Sequence, residues 1–288
     1  MKRSFRQGGT DSLFFAALIA LGGVYLLLIL GMLVADVFYA STHVSGQEFI
    51  ELLKNENIRY SIWLTLISCT VSAVLSIVVA VPAGYLLSRY HFRGKALVDA
   101  VLDIPIVLPP LVVGLSLLIL FNKMPPESWG LGSFEDLVRR VFGDKAGVTY
   151  KIPAVIIAQF AVSCAFAVRT MRNTFDQISP RTEQVARTLG CSRGRAFFSV
   201  VIPESWRGIS TAGTLAWTRA MGEFGPILVF ASTIRGRTEV LSSTVFLEIS
   251  IGNLEGAVMV SLLMVTIAIV VLVAVRAWDK NQQHRILI

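Results

Sequence analysis

Hydrophobic residues in this chain gather into six long blocks, at about 13–38, 61–88, 98–121, 152–171, 208–233 and 255–277, separated by polar stretches. About 20 apolar residues suffice to cross ~30 Å of hydrocarbon at about 1.5 Å per residue. Backbone polar groups inside lipid must be satisfied within the segment, so each block is predicted to be a helix. The pattern predicts an all-α, polytopic membrane protein with six transmembrane helices. The first block follows Lys2, Arg3 and Arg6, as a signal-peptide core would. It is far longer than the roughly 7–15 residues of such a core and lacks a convincing small-residue cleavage site, so it reads as an uncleaved first span.

Between the blocks, two polar stretches carry structure of their own. In the loop from Asn122 to Lys151, Ser133 and Asp136 have capping-box spacing, with Asp in place of the usual Glu or Gln. Phe134, Leu137, Val138, Val141 and Phe142 follow at helical spacing, and Gly143 can supply a left-handed stop. This amphipathic helix suits the membrane interface or a partner protein equally well. The stretch from about 172 to 207 reads as two short helices. Ser179 caps the first, Pro180 takes its first position and Gly190 ends it. Ser192 caps the second, which runs to about Val201 and stops before Pro203. Val185, Leu189, Phe197, Phe198 and Val201 are too apolar for a loop facing only water, so some of them pack on the protein's own helix ends or on a partner.

Composition agrees with the pattern. A mean hydropathy of +0.67 and a 54% hydrophobic share exceed the usual soluble range of about 45–50%. The organisation is a tail over 1–12, one membrane domain over 13–277 and a tail over 278–288, with no appended soluble domain. Sixteen Lys and Arg fall on the side that receives both tails, the 89–97 loop and the 169–207 segment, against nine on the other side. Positive loops stay in the cytoplasm, so both termini are expected inside. The net charge of +7 follows from that topology and does not imply nucleic-acid binding. Cys69, Cys164 and Cys191, like His43, His91 and His284, are scattered without metal-ligand spacing, so neither metal nor disulfide chemistry is expected.

Ionisable residues and prolines inside the blocks stand out. Arg219 and Glu223 lie one helical turn apart within the fifth block. An ionisable group at that depth costs about 2.5–3.5 kcal/mol, so the two should pair and face protein or water. They are either a neutralised structural pair or part of a pathway or gate that also steers an anion, and Gly222 and Gly225 would allow bending beside them. Pro105, Pro109 and Pro110 break backbone bonding in the third block, either as a plain kink or as a kinked helix lining a pathway. No Gly-x-x-x-x-Gly-Lys-Ser/Thr phosphate loop occurs, and no Ser/His/Asp set has a plausible context, so the chain is not expected to be an enzyme in itself.

Four motifs together carry a family resemblance. Glu183-Gln-Val-Ala-Arg-Thr-Leu-Gly190, followed by Ile202-Pro203, resembles the conserved cytoplasmic loop of bacterial and archaeal ABC importer permeases, with Gln184 where Ala is usual. Asp103-Ile-Pro-Ile-Val-Leu-Pro-Pro-Leu-Val-Val-Gly114 resembles the proline-rich start of their third span. Ala158-Gln159-Phe160, after Gly130-Leu-Gly132, resembles the start of the fourth span. Ala216-Trp-Thr-Arg-Ala-Met-Gly-Glu-Phe-Gly225 resembles the fifth-span signature of the oxyanion branch for molybdate, tungstate and sulfate, although Pro226 and residues 231–240 depart from the commonest molybdate pattern. The resemblance covers about residues 58–275.

That resemblance implies a type I ABC importer permease in a prokaryotic cytoplasmic (inner) membrane, working by alternating access. Glu183, Ala186, Arg187, Leu189, Gly190, Ser192, Phe197, Phe198, Ile202 and Pro203 would form the ATPase-coupling loop. Pro105, Pro109, Pro110, Gly114, Arg219, Gly222, Glu223, Phe224 and Gly225 would line the pathway or gate. The implied partners are a cytoplasmic ABC ATPase dimer that binds ATP and Mg, a second permease copy (a homodimer), an extracytoplasmic solute-binding protein and the lipid membrane. The chain itself would hold no cofactor. The implied substrate is molybdate or tungstate, with sulfate or thiosulfate as the alternative. Two other classes remain: an ion-coupled secondary transporter using Arg219 and Glu223, and a membrane scaffold without transport.

Overall fold

The structure, a computed structural model, describes residues 9–125, 132–143 and 147–286. Lys2, Arg3, Arg6 and Lys145, the Gly130-Leu131 part of one motif and the last two tail residues lie outside the described residues. All regular structure among the described residues is helical: α1 (Gly9–His43), α2 (Gly46–Lys54), α3 (Glu56–Arg89), α4 (Lys95–Val107), α5 (Pro110–Lys123), α6 (Phe134–Phe142), α7 (Ile152–Gln177), α8 (Pro180–Thr188), α9 (Arg193–Ala196), a π-helical turn (Phe197–Val201), α10 (Ile202–Glu204), α11 (Trp206–Met221), α12 (Gly225–Phe230), α13 (Leu241–Ser250) and α14 (Leu254–Ile286).

Among the described residues, α1, α3, α7 and α14 are each long and apolar enough to cross a membrane. α4 and α5 meet that test together as one span bent by 113°. The bend falls at Leu108-Pro109, where two successive prolines remove backbone donors and Pro110 restarts the helix at its first position. The block at 208–233 is not one helix. α11 ends at Met221, Gly222 to Phe224 form a break, and α12 resumes with Pro226 in its first turn. Pro226 has no N–H to bond back toward Gly222, and its ring disfavours helical geometry at the residue before it.

The core is built on α3 and α7. The buried face of α3 reads Ser61, Thr65, Ser68, Ser72, Ser76, Ala80, Gly84 and Leu87, small residues recurring every three or four positions. Small side chains let membrane helices approach closely, and hydroxyls bond across the gap. Ser163 of α7 accordingly sits 3.3 Å from Ser72 and 3.1 Å from Ser76. At Gly84 the approach is closest: a Cβ there would meet the backbone nitrogen of Arg172 at 2.8 Å.

The two helices run parallel, since Cys69 meets Gln159 and, further along, Arg89 donates to the Ile178 carbonyl. α11 and α12 run back along α7: Gly208 lies against Thr174, Arg219 over Phe166, and Phe230 beside Tyr150. Leu87, Met171, Phe175 and Val201 fill the core at the end that carries α8 to α10. Ile227, Phe230, Leu64 and Val155 fill it at the opposite end. Nearly all the described side chains of α1 are left uncovered by the rest of the chain.

α6 forms with both halves of the expected Ser133–Asp136 capping box. It is fastened to the approach to α7 by Glu135, a buried carboxylate that accepts from the N–H groups of Val148 and Thr149 and from the Thr149 hydroxyl. Burial pushes the Glu135 carboxyl up, but those donors and Arg139 outweigh it and hold the group below its ordinary value.

Candidate coupling loop and pathway break

The loop from α8 to α10 is shaped by local rules. The Ser179 hydroxyl accepts from the Arg181 N–H, and Pro180 occupies the first helical position. At the other end Gly190 takes φ +92°, which a side chain would resist. The Gly190 N–H bonds to the Arg187 carbonyl and the Cys191 N–H to the Ala186 carbonyl. That pair of bonds is a Schellman stop, and it turns the chain sharply. The Ser192 hydroxyl then caps α9 through the Arg195 N–H.

The second helix differs from its expectation. It does not stop before Pro203; after α9 it widens into the π-helical turn and continues through Ile202-Pro203 as α10. Pro203 lacks an N–H and its ring crowds the carbonyl four residues earlier, and a π turn is one way to absorb that misfit.

This loop is joined to the core at several points. The Tyr85 hydroxyl donates to Glu183 Oε1 at 2.8 Å. The Tyr85 ring also packs edge-on against Phe197 and Phe175. Ala186, Ala196 and Val201 are buried, and Phe197 turns inward. Leu189 and Phe198, in contrast, are 80% and 70% exposed, with Val185 exposed beside them. Covering a side chain of this kind is worth about 1.5–3 kcal/mol, a gain that neither side chain makes within this chain. Arg187 lies in the last turn of α8, two residues before the C-cap Leu189. Tyr85 was not singled out in the sequence, because nothing local relates it to a residue 98 positions away.

The second group lies at the α11–α12 break. Arg219 and Glu223 form an ion pair, with Glu223 buried and Arg219 about a third exposed. They do not share one helix as expected: Glu223 has left α11, and its carbonyl accepts from Ser242 at 2.8 Å. The Arg219 guanidinium lies 5.5 Å from the centre of the Phe166 ring, a cation–π distance that partly replaces lost hydration. Gly222 and Phe224 line an open, mainly apolar groove of about 440 Å³ with Phe246 and Met264. The Phe224 and Phe246 rings pack tilted, with centroids 4.6 Å apart.

The remaining pathway residues are brought to a helix crossing. A Cβ at Gly114 would meet Pro226 Cα at 2.8 Å, and one at Gly225 would meet Pro110 Cβ at 3.0 Å. Two glycines and two prolines thus clasp α5 to α12. Pro105 sits within α4, and Pro109 forms the bend.

A bundle of long apolar helices with an ordered, partly apolar loop at one end defines a multi-pass membrane component. Residues 77–286 match the model of the binding-protein-dependent transport system inner membrane component, and the chain belongs to that family of ABC importer permeases. It is 30% identical over 268 residues to the sulfate transport system permease protein CysW of Synechocystis sp., covering 93% of each chain. It is 34% identical to the molybdenum transport system permease protein ModB of Escherichia coli K12, over 71% of this chain and 87% of that one. It is 36% identical to the molybdate/tungstate transport system permease protein WtpB of Pyrococcus abyssi over 58% of each. The fold matches a chain of the bacterial alginate ABC transporter, solved with an alginate-bound periplasmic protein, with a TM-score of 0.75 at 14% identity, covering 94% of this chain and 95% of that one.

Proposed function

We propose that this chain is the transmembrane channel subunit of an ATP-driven importer for a tetrahedral oxyanion, molybdate or tungstate in the first place. The observation that carries this reading is the loop itself: Leu189 and Phe198 stand exposed on a Schellman-closed turn whose neighbouring Glu183 is tied through Tyr85 to α3. A force applied at that surface has a short route into the core. In this reading the surface docks on a cytoplasmic ABC ATPase dimer, which binds ATP and Mg. Two copies of the chain, as a homodimer, enclose the path, and an extracytoplasmic binding protein delivers the anion. α1, α3, the bent α4–α5, α7, the broken α11–α12 and α14 make six crossings of a prokaryotic cytoplasmic membrane, with both termini inside. Arg219 and Glu223 act at the gate, the buried carboxylate keeping the cation from trapping the anion.

The experiment is affinity purification of the tagged chain from its native membrane, with the bound proteins identified by mass spectrometry. An ATPase carrying a phosphate loop should be recovered. Gly190→Val forces a β-branched residue into a left-handed conformation, at a cost of about 1–2 kcal/mol, and should lose that partner while still inserting in the membrane. A wild-type chain that brings no ATPase from mildly solubilised, cross-linked membranes would overturn the proposal. Sulfate is the second substrate reading, favoured by the sulfate permease relative matched over 93% of both chains. Competition among labelled molybdate, tungstate and sulfate for uptake separates the two.

A further inference from the structure

α4 is attached to the protein in an unusual way. None of its residues is buried, and Leu97, Val101 and Val107 are exposed on it. Toward α7 it sets two ion pairs, Asp99 to Arg172 at 2.7 Å and Asp103 to Arg169 at 3.4 Å, and Leu102 packs partly buried against the core. Between the two helices lies a polar cavity of about 180 Å³, lined by these four charges and Asn173. α4 therefore turns charges inward and hydrocarbon outward, without the close packing that fixes α3 on α7.

Arg172 has a second acceptor within reach. Its Nε lies 3.9 Å from the carboxylate of Asp176, one turn further along α7, while its other nitrogen holds Asp99. At the far end of α4 the chain turns through 113° at Leu108-Pro109, and α5 is clasped to α12. The helix thus has a sharp bend at one end and, near the other, an ionic contact whose arginine has a second carboxylate within reach.

We infer that Arg172 is a two-position latch: paired with Asp99 it holds α4 on α7, and paired with Asp176 it frees α4 to swing about Leu108-Pro109. The Asp103–Arg169 pair, more exposed, follows the movement rather than setting it. The cavity is the room into which the side chains rearrange. No covalent step is involved.

The test uses the full chain, with Cys69, Cys164 and Cys191 changed to alanine, in lipid nanodiscs. Spin labels are placed at Leu97 on α4 and Gln177 on α7, both exposed, and their distance distribution is read by pulsed electron resonance. Two distances are expected in the parent chain. Asp99→Asn should raise the longer population about threefold, and Asp176→Asn should lower it by about the same factor, as the exchange of one partly exposed pair permits. The reversed pair, Asp99→Arg with Arg172→Asp, should bring back the shorter distance. A single distance unmoved by Asp99→Asn and by Asp176→Asn would overturn the inference. Should Asp99→Asn fail to fold, Asp176→Asn still decides, since the Asp176 side chain is half exposed. The distances are read in the chain alone, so a failure here is separate from any failure of the importer reading, which the ATPase recovery decides.

Discussion

α7 touches α3 along one face and α4 along another, and the two contacts are made in opposite ways. Against α3 it presents small residues and hydroxyls, with Gly84 letting two backbones nearly meet. Against α4 it presents arginines across an open polar space. Lipid tails are as apolar as leucine, so burial of hydrocarbon does not drive two membrane helices together, and close contact does. The α3 face is therefore where α7 is fixed, and the α4 face is where it can be released. A sequence stripe of serines and glycine marks the rigid seam, while the conspicuous charges mark the movable one.

The largest expected effect comes from closing the gap at Gly84. Gly84→Val would place carbon against the Arg172 backbone, which cannot give way as a flexible side chain would. A loss of about 3 kcal/mol is expected, read as a fall in monodisperse protein and in the thermal midpoint in detergent. A variant as stable as the parent would refute the seam.

Next comes the anchor that holds the approach to α7. Glu135→Gln leaves the Val148 and Thr149 N–H groups without their charged acceptor, which should cost about 2 kcal/mol. The sign of the pH effect follows from the lowered folded-state value. A depressed carboxyl contributes stability that is full above its unfolded value and is lost as pH falls through the folded one. Parent stability should thus decline across the acid range more steeply than that of the Gln variant, which keeps the lowered Asp136 carboxyl; parallel profiles would remove Glu135 from the account.

Smaller still, Ser163→Ala deletes the hydroxyl shared by Ser72 and Ser76. About 0.6 kcal/mol is expected, as for an average hydrogen bond between membrane helices. Arg169→Gln is placed last. Its ion pair is largely exposed, so less than about 0.5 kcal/mol should be lost, and an unfolding midpoint matching the parent is the expected reading. A loss larger than that of Ser163→Ala would reverse the ranking of the two faces.

How much of this was legible in the sequence depended on distance along the chain. Capping at Ser133, Ser179 and Ser192 and the left-handed turn at Gly190 are settled within a few residues, and each formed as read. Hydrophobic block length was equally direct for α3, α7 and α14. The fifth block misled, because apolar content hides a break: Gly222 and Pro226 together end one helix and start another, so Glu223 leaves the helix it was assigned to. Pro203 misled in the opposite direction, its misfit being absorbed by a widened turn instead of a stop. Tyr85 with Glu183, Phe166 with Arg219, and Asp99 with Arg172 are pairings across separate helices. No periodicity links their members, so only the packed bundle could reveal them.

The clasp between α5 and α12 has a consequence for inheritance. Gly114 faces the Cα and carbonyl oxygen of Pro226, and Gly225 faces the Cβ of Pro110 and the backbone of Pro110 and Leu111. Those are atoms that any residue other than glycine brings, so replacing either proline leaves both glycines as confined as before. Descendants of this chain are therefore held to glycine at 114 and 225 whatever side chains stand at 226 and 110. Only a wider crossing of α5 and α12 would release them.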